Sequence, residues 1–188
     1  MEMFKVLNDI DTNLFLYLNG LHHPFFDVLM TWVSNKFVWI PLYLFVAYKI
    51  VKNSNAKSGL LTILFLILMI TISDQLTAHI IKPWVERLRP CHNLFIANRI
   101  HLINNNCGGQ FGFVSSHASS SFAFATFSIL LFKDKSPALK YFLVVYAVFV
   151  SYSRIYLGVH YPGDVIAGAL CGFVLAFGMF SLFKKYHE

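Results

Sequence analysis

Apolar residues gather into five runs separated by shorter polar stretches: Phe37 to Val51, roughly Gly59 to Ile81, Phe111 to Phe132, Tyr141 to Tyr152 with its flanks, and Val165 to Phe183. Most approach the ~20 residues that a helix needs to cross a bilayer. A helix is also the form that satisfies its own backbone groups in lipid. Between the runs lie turn formers: Asn53, Ser54 and Asn55 after the first, and Pro137 at the start of the fourth. The fourth run ends near Arg154 and the fifth begins near His160. Gly168 and Gly172, at GxxxG spacing, mark a close-packing helix face. Residues 12 to 35 are more mixed, with Asn19, His22, His23, Pro24 and Asp27 among the apolar positions. They fit two short amphipathic helices in the membrane interface, broken near Pro24; a full span is the alternative.

The chain therefore reads as all-α. It is an integral membrane helical bundle of about five transmembrane helices over residues 37–188, preceded by N-terminal interfacial amphipathic helices over residues 1–36. Composition agrees: of 188 residues 57% are hydrophobic and 13% charged, where soluble domains carry about 25% charged. Residues Met1 to Asp11 contain Glu2, Asp9 and Asp11 and do not form the basic start of a cleavable signal.

The net charge of +6 reads as membrane topology and not as nucleic-acid binding, because no basic cluster is interleaved with base-stacking aromatics. With five spans, Lys49, Lys52, Lys57, Lys133, Lys135, Lys140, Lys184 and Lys185 collect on one side. The other side holds Lys5, Lys36, Lys82, Arg87, Arg89, Arg99 and Arg154. Setting aside Lys82, Arg89 and Arg154 as site candidates leaves eight against four, so the lysine-rich side is cytoplasmic. Asp74, within the second run, is a costly intramembrane carboxylate, read as pairing with a Ser, Thr or Lys of a neighbouring helix.

Three polar clusters then fall on the opposite face: Lys82 with Arg89-Pro90, Ser115-Ser116-His117, and Ser153-Arg154 with His160 and Asp164. His160 and Asp164 are at i and i+4, so on a helix they share a face. A carboxylate beside an imidazole fixes its tautomer. Three cations, two histidines and backbone donors suit phosphoryl transfer, in which positioned positive charge stabilises the transition state. One histidine serves as nucleophile and the other as proton donor. The histidines lack metal-ligand spacing, and the surrounding cations would repel a metal, so neither metal nor cofactor is expected. Arg87 reads chiefly as solvated, and Tyr156 and Tyr161 as interface anchors.

These clusters resemble the three signatures of the type 2 phosphatidate phosphatase superfamily, KxxxxxxRP, PSGH and SRxxxxxHxxxD, in order and spacing over about residues 59–180. The second signature departs from the pattern, with Val114 in place of Pro and Ser116 in place of Gly. The resemblance implies that His160 attacks phosphorus to form a phosphohistidine and that Asp164 orients it. It implies that His117 protonates the leaving oxygen and then activates water. Lys82, Arg89, Arg154 and Ser115, with the Ser116 amide, would hold the phosphate. The implied protein is a lipid phosphatase of the bacterial inner membrane, its site on the extracytoplasmic face and its substrate a membrane lipid phosphate, with no nucleic acid or obligate protein partner. Undecaprenyl diphosphate ranks first, followed by lipid A phosphate, phosphatidylglycerol phosphate and phosphatidate. An anion-binding or transport protein is the non-enzyme alternative. Cys91 and Cys107 share the connection from Lys82 to Gln110, and an oxidising compartment would permit a disulfide there.

Overall fold

The computed structural model describes residues 2–133 and 137–187. Lys135, counted above on the lysine-rich side, lies outside the described residues. Helix α1 (Glu2–Gly20) is followed by α2 (Pro24–Ser34), a 3-10 turn at Lys36–Trp39, and α3 (Ile40–Lys52). Helix α4 (Ala56–Gln75) runs through a π-helical stretch, Leu76–Ile81, into the short α5 (Lys82–Val85). Helices α6 (Ser116–Phe132), α7 (Pro137–Tyr156) and α8 (Pro162–His187) complete the bundle, and no named strand occurs among the described residues.

Three continuous helical segments are long and apolar enough to cross a membrane: Ala56–Val85, Pro137–Tyr156 and Pro162–Tyr186. Pro24–Ser34 and Lys36–Lys52 pass the same test together but are bent by 67°. Ser116–Phe132 is a shorter apolar helix. The protein is a multi-pass membrane protein, and these segments correspond to the five apolar runs with shifted edges. The largest shift is in the third run, where residues 111–115 are not helical. Phe111 forms an antiparallel bridge with Leu88, and the Ser115 side chain accepts a hydrogen bond from the Ala118 amide, starting α6 five residues late. At the N-terminus the break falls at Pro24, but the first helix begins at Glu2 and is far longer than a short segment within residues 12–35.

Local chemistry explains the irregular exit of α4. Pro83 lacks an amide donor and its ring clashes with the carbonyl four residues earlier, so a regular ladder cannot pass through it. The π-helical stretch just before it widens the turn, and Lys82 sits where that widening ends.

The core is built on α6, which packs most closely against α8. A Cβ on Gly168 would lie 2.5 Å from the Ser115 carbonyl, and one on Gly172 would lie 2.3 Å from the Ser119 carbonyl. Only glycine admits that approach, which is the basis of the GxxxG face. On its other side α6 meets α4 through hydroxyls. Ser73 Oγ is 2.8 Å from Ser119 Oγ and 3.3 Å from Ser120 Oγ. The Thr77 hydroxyl is 2.8 Å from Ser116 Oγ. Ser73, Thr77 and Ser119 are fully buried; Thr77 also bonds the Ser73 carbonyl at 2.8 Å, whereas Ser119 without Ser73 would be an unpaired polar group.

Candidate active site

Each cluster sits at a helix end. Lys82 follows the π-helical stretch, Arg89-Pro90 lies in the connection after α5, His117 is in the first turn of α6, Arg154 is in the last turn of α7, and His160 precedes α8. A cavity of about 690 Å³ is lined by Lys82, Arg89, Ser116, His117, Arg154 and His160 together. That volume suits a sizeable ligand. Trp39, Tyr43, Phe124 and Tyr146 also line it, and the Tyr43 and Tyr146 hydroxyls are 3.0 Å apart. A wall that carries both cations and aromatic rings fits a molecule with an anionic head and a greasy body.

His160 is 1% exposed and Asp164 is fully buried. Asp164 Oδ2 accepts from His160 Nδ1 at 3.4 Å and from the Tyr161 amide at 3.1 Å. With the proton on Nδ1, His160 keeps a lone pair on Nε2, the requirement for a nucleophile. Burial, reinforced by Arg89, Arg154 and Lys82, holds the His160 imidazole well below its ordinary pKa. The ring is therefore neutral near pH 7.

The three cations are held differently. Lys82 Nζ donates to Ser116 Oγ at 2.7 Å. Arg89 donates from Nε to the Phe111 carbonyl at 3.2 Å and from Nη1 to the Cys107 carbonyl at 2.9 Å. Arg154 Nη1 donates to Ser34 Oγ, while its buried Nε has no partner among the described residues. Burial lowers the Arg89 pKa below the ordinary guanidinium value, with Asp164 opposing. None of the three forms an ion pair with a carboxylate among the described residues, so all keep their charge for an incoming anion.

The loop carrying Arg89 is fastened twice. The Arg89 amide donates to the Gln110 carbonyl at 3.1 Å and the Gly112 amide to the Arg87 carbonyl at 2.8 Å. Cys91 and Cys107 form a disulfide with Cα atoms 5.9 Å apart. A second cavity of about 200 Å³ shares Arg89 and Arg154 and is bounded by Asn106, Cys107 and Gly108.

Several expected roles change. Ser115 is fully buried, and its hydroxyl accepts from the Ala118 amide and caps α6. Ser116, where the signature has glycine, lines the cavity and joins Lys82 to Thr77. Asp74 also lines it, but no neighbouring Ser, Thr or Lys bonds its carboxylate among the described residues. Tyr156 and Tyr161 are buried, not interfacial: Tyr156 OH donates to Asp27 at 2.7 Å.

Arg87 is not simply solvated. Its Nη1 lies 2.7 Å from Asp164 Oδ1 and its Nη2 lies 2.7 Å from Asp11 Oδ2, and its guanidinium stacks 4.1 Å from the Tyr161 ring centre. Burial works against its charge, but Asp164 and Asp11 outweigh that and raise its pKa above the ordinary value. The signal for Asp11 was faint. It lies in a stripe with Asn8, Phe15 and Asn19, three to four residues apart along α1.

Comparison with known proteins gives a consistent set of likenesses. A family model described as the PAP2 superfamily matches residues 60–188. A lipid A 4'-phosphatase of Bacteroides thetaiotaomicron is 42% identical over 171 residues, covering 90% of this chain and 75% of that protein. A lipid A 4'-phosphatase of Porphyromonas gingivalis is 29% identical over 175 residues, covering 93% and 73%. The crystal structure of a transmembrane PAP2-type phosphatidylglycerolphosphate phosphatase from Bacillus subtilis superposes with a TM-score of 0.72 at 21% identity, covering 96% of this chain and 87% of that one.

Proposed function

The chain belongs to the PAP2 superfamily as a membrane lipid phosphatase, and from that premise we propose that it removes a phosphate monoester from a lipid A-type glycolipid. Undecaprenyl diphosphate, first choice from the signatures alone, gives way to this reading. Both relatives described above carry the lipid A 4'-phosphatase name, one at 42% identity.

In this reading His160 Nε2 attacks phosphorus in line, forming a P–N bond as the P–O bond to the sugar breaks. His117 gives its proton to the departing sugar oxygen. It then takes a proton from water as the water oxygen attacks the phosphohistidine, and inorganic phosphate leaves with His160 restored. Asp164 holds the tautomer that leaves Nε2 free. Lys82, Arg89, Arg154 and the Ser116 amide at the α6 N-terminus bear the charge spread over the phosphoryl oxygens. Ser115 acts indirectly, by setting where α6 begins. The observation that carries the reading is the shared cavity, with both histidines and all three free cations on its wall.

The site faces the extracytoplasmic side of a bacterial inner membrane. Supporting this are the lysine asymmetry of the loops and the Cys91–Cys107 disulfide beside Arg89.

The test is phosphate release by the purified protein in detergent with EDTA present. The panel is 4'-phosphorylated lipid A, undecaprenyl diphosphate, phosphatidylglycerol phosphate and phosphatidate. The highest kcat/KM is expected on lipid A, with loss of the 4'-phosphate by mass. Preference for any other lipid overturns the substrate assignment, and strict metal dependence overturns the histidine mechanism.

A further inference from the structure

We propose that Asp11, on the N-terminal helix, is a positioning residue of the active site, acting on Asp164 through Arg87. The proposal rests on the reading of Asp164 as the carboxylate that orients His160.

The contacts form an unbroken line. Asp164 spends Oδ2 on His160 and the Tyr161 amide, leaving Oδ1 for Arg87 Nη1 at 2.7 Å. A guanidinium presents donors in a rigid fork. With Nη1 on Asp164, Nη2 reaches Asp11 Oδ2 at 2.7 Å. The other oxygen, Asp11 Oδ1, accepts from the Gly163 amide at 2.7 Å, one residue before Asp164 itself. Asp11 therefore grips both the arginine that holds Asp164 and the helix start that carries it.

The fit is close enough to exclude a side chain. A Cβ on Gly163 would sit 2.7 Å from Asp11 Oδ2. Helix α1 is seated for the task by Phe15, fully buried against Tyr161 with ring centres 5.4 Å apart. Asn19 adds hydrogen bonds to the carbonyls of Tyr156 at 2.8 Å and His101 at 3.0 Å. The opposite face of α1 presents Met3, Val6, Ile10 and Tyr17, each more than half exposed. One face of α1 is thus apolar and open while the other completes the site.

The charged and titratable groups around Asp164 are His160 and Tyr161 beside it, Arg87 and Arg89 from the outer connection, Lys82 at the end of the second span, and Asp11 behind Arg87. A cation beside a carboxylate favours its ionised form. Removing the Arg87 charge therefore raises the pH at which Asp164 takes a proton.

Test D11A, R87Q, R87K, G163A and the double variant D11A/R87Q, with H160A alongside, by steady-state kinetics on a lipid phosphate across pH. A misplaced reacting group costs on the order of 10- to 100-fold. D11A and G163A are each expected to lower kcat by at least about tenfold with KM within twofold. R87Q is expected to lower kcat and move the acid limb of kcat/KM to higher pH; R87K restores the limb but not kcat, since lysine keeps the charge without the fork. In the R87Q background D11A should cost clearly less than it does in the wild type, because the arm through Arg87 is already broken and only the Gly163 contact is left to lose. Wild-type kcat in D11A, or losses that multiply in the double variant, overturns the proposal. An active H160A overturns the underlying reading instead, so the two failures are distinguishable.

Discussion

Lys82 Nζ and Ser116 Oγ are 2.7 Å apart, joining the end of the second span to the start of α6 at the one motif position where this chain has serine and the family signature has glycine. Lys82 is therefore held in the cavity by a neutral hydroxyl that does not cancel its charge.

Replacing Ser116 by Ala leaves both Lys82 Nζ and the Thr77 hydroxyl without this partner. Deleting one partner of a bonded pair costs about 1–3 kcal/mol, and part of it should appear as a several-fold rise in KM for a lipid phosphate. S116G, which restores the family residue, is expected to lose the Lys82 anchor in the same way. Steady-state kinetics of the two variants check this. Unchanged KM in both would show that Lys82 is positioned without the hydroxyl.

His117 is assigned to protonate the leaving oxygen. General acid catalysis contributes on the order of 10²–10⁴-fold, and H117A should lose about that much on a lipid phosphate. On an aryl phosphate, whose leaving group departs without a proton, the loss should be far smaller. Equal losses on both substrates would remove His117 from that step.

Acid should weaken the fold through His160. Its imidazole is held well below the ordinary value of 6.5 by burial and the nearby cations, whereas the unfolded chain titrates near 6.5. Below that pH the unfolded state binds a proton that the folded state refuses, so stability falls as pH falls. Unfolding midpoints of wild type and H160Q between pH 7.5 and 5 should diverge, with wild type losing more on acidification. Parallel curves would contradict the buried, neutral state.

The disulfide supports Arg89, whose Nη1 donates to the carbonyl of Cys107 itself. Closing a loop of this size contributes ~3 kcal/mol by chain-entropy reasoning. The C91S/C107S variant should unfold earlier and bind the lipid phosphate less tightly. A non-reducing mass showing two free thiols in the purified protein would remove the disulfide from the account.

Most of the cavity wall was legible in the chain, and the reason is local. Lys82, His117, Arg154 and His160 lie at or beside helix ends, and helix ends follow from hydrophobic run lengths, so five apolar runs were enough to bring these residues to one face. Asp164 follows His160 by the i, i+4 rule. The clamp behind them was not legible. Arg87 meets Asp11 and Asp164 across 76 and 77 residues, and no periodicity encodes a pair so far apart. Tyr156 was misread for a related reason. A tyrosine at a helix end looks interfacial until the start of α2 folds over it, with the His23 backbone and the Asp27 carboxylate as partners. Ser115 is ambiguous from sequence because capping a helix and holding an anion call for the same hydroxyl at the same position.

The buried hydroxyls between α4 and α6 have a further consequence, for register. If one helix slid along the other by a single turn, about 5.4 Å, Ser73 would lose Ser119 and Thr77 would lose Ser116. The ladder thereby acts as a depth gauge. It holds the cation at the exit of one span level with the imidazole at the opening of the next, so a phosphate at that height meets both.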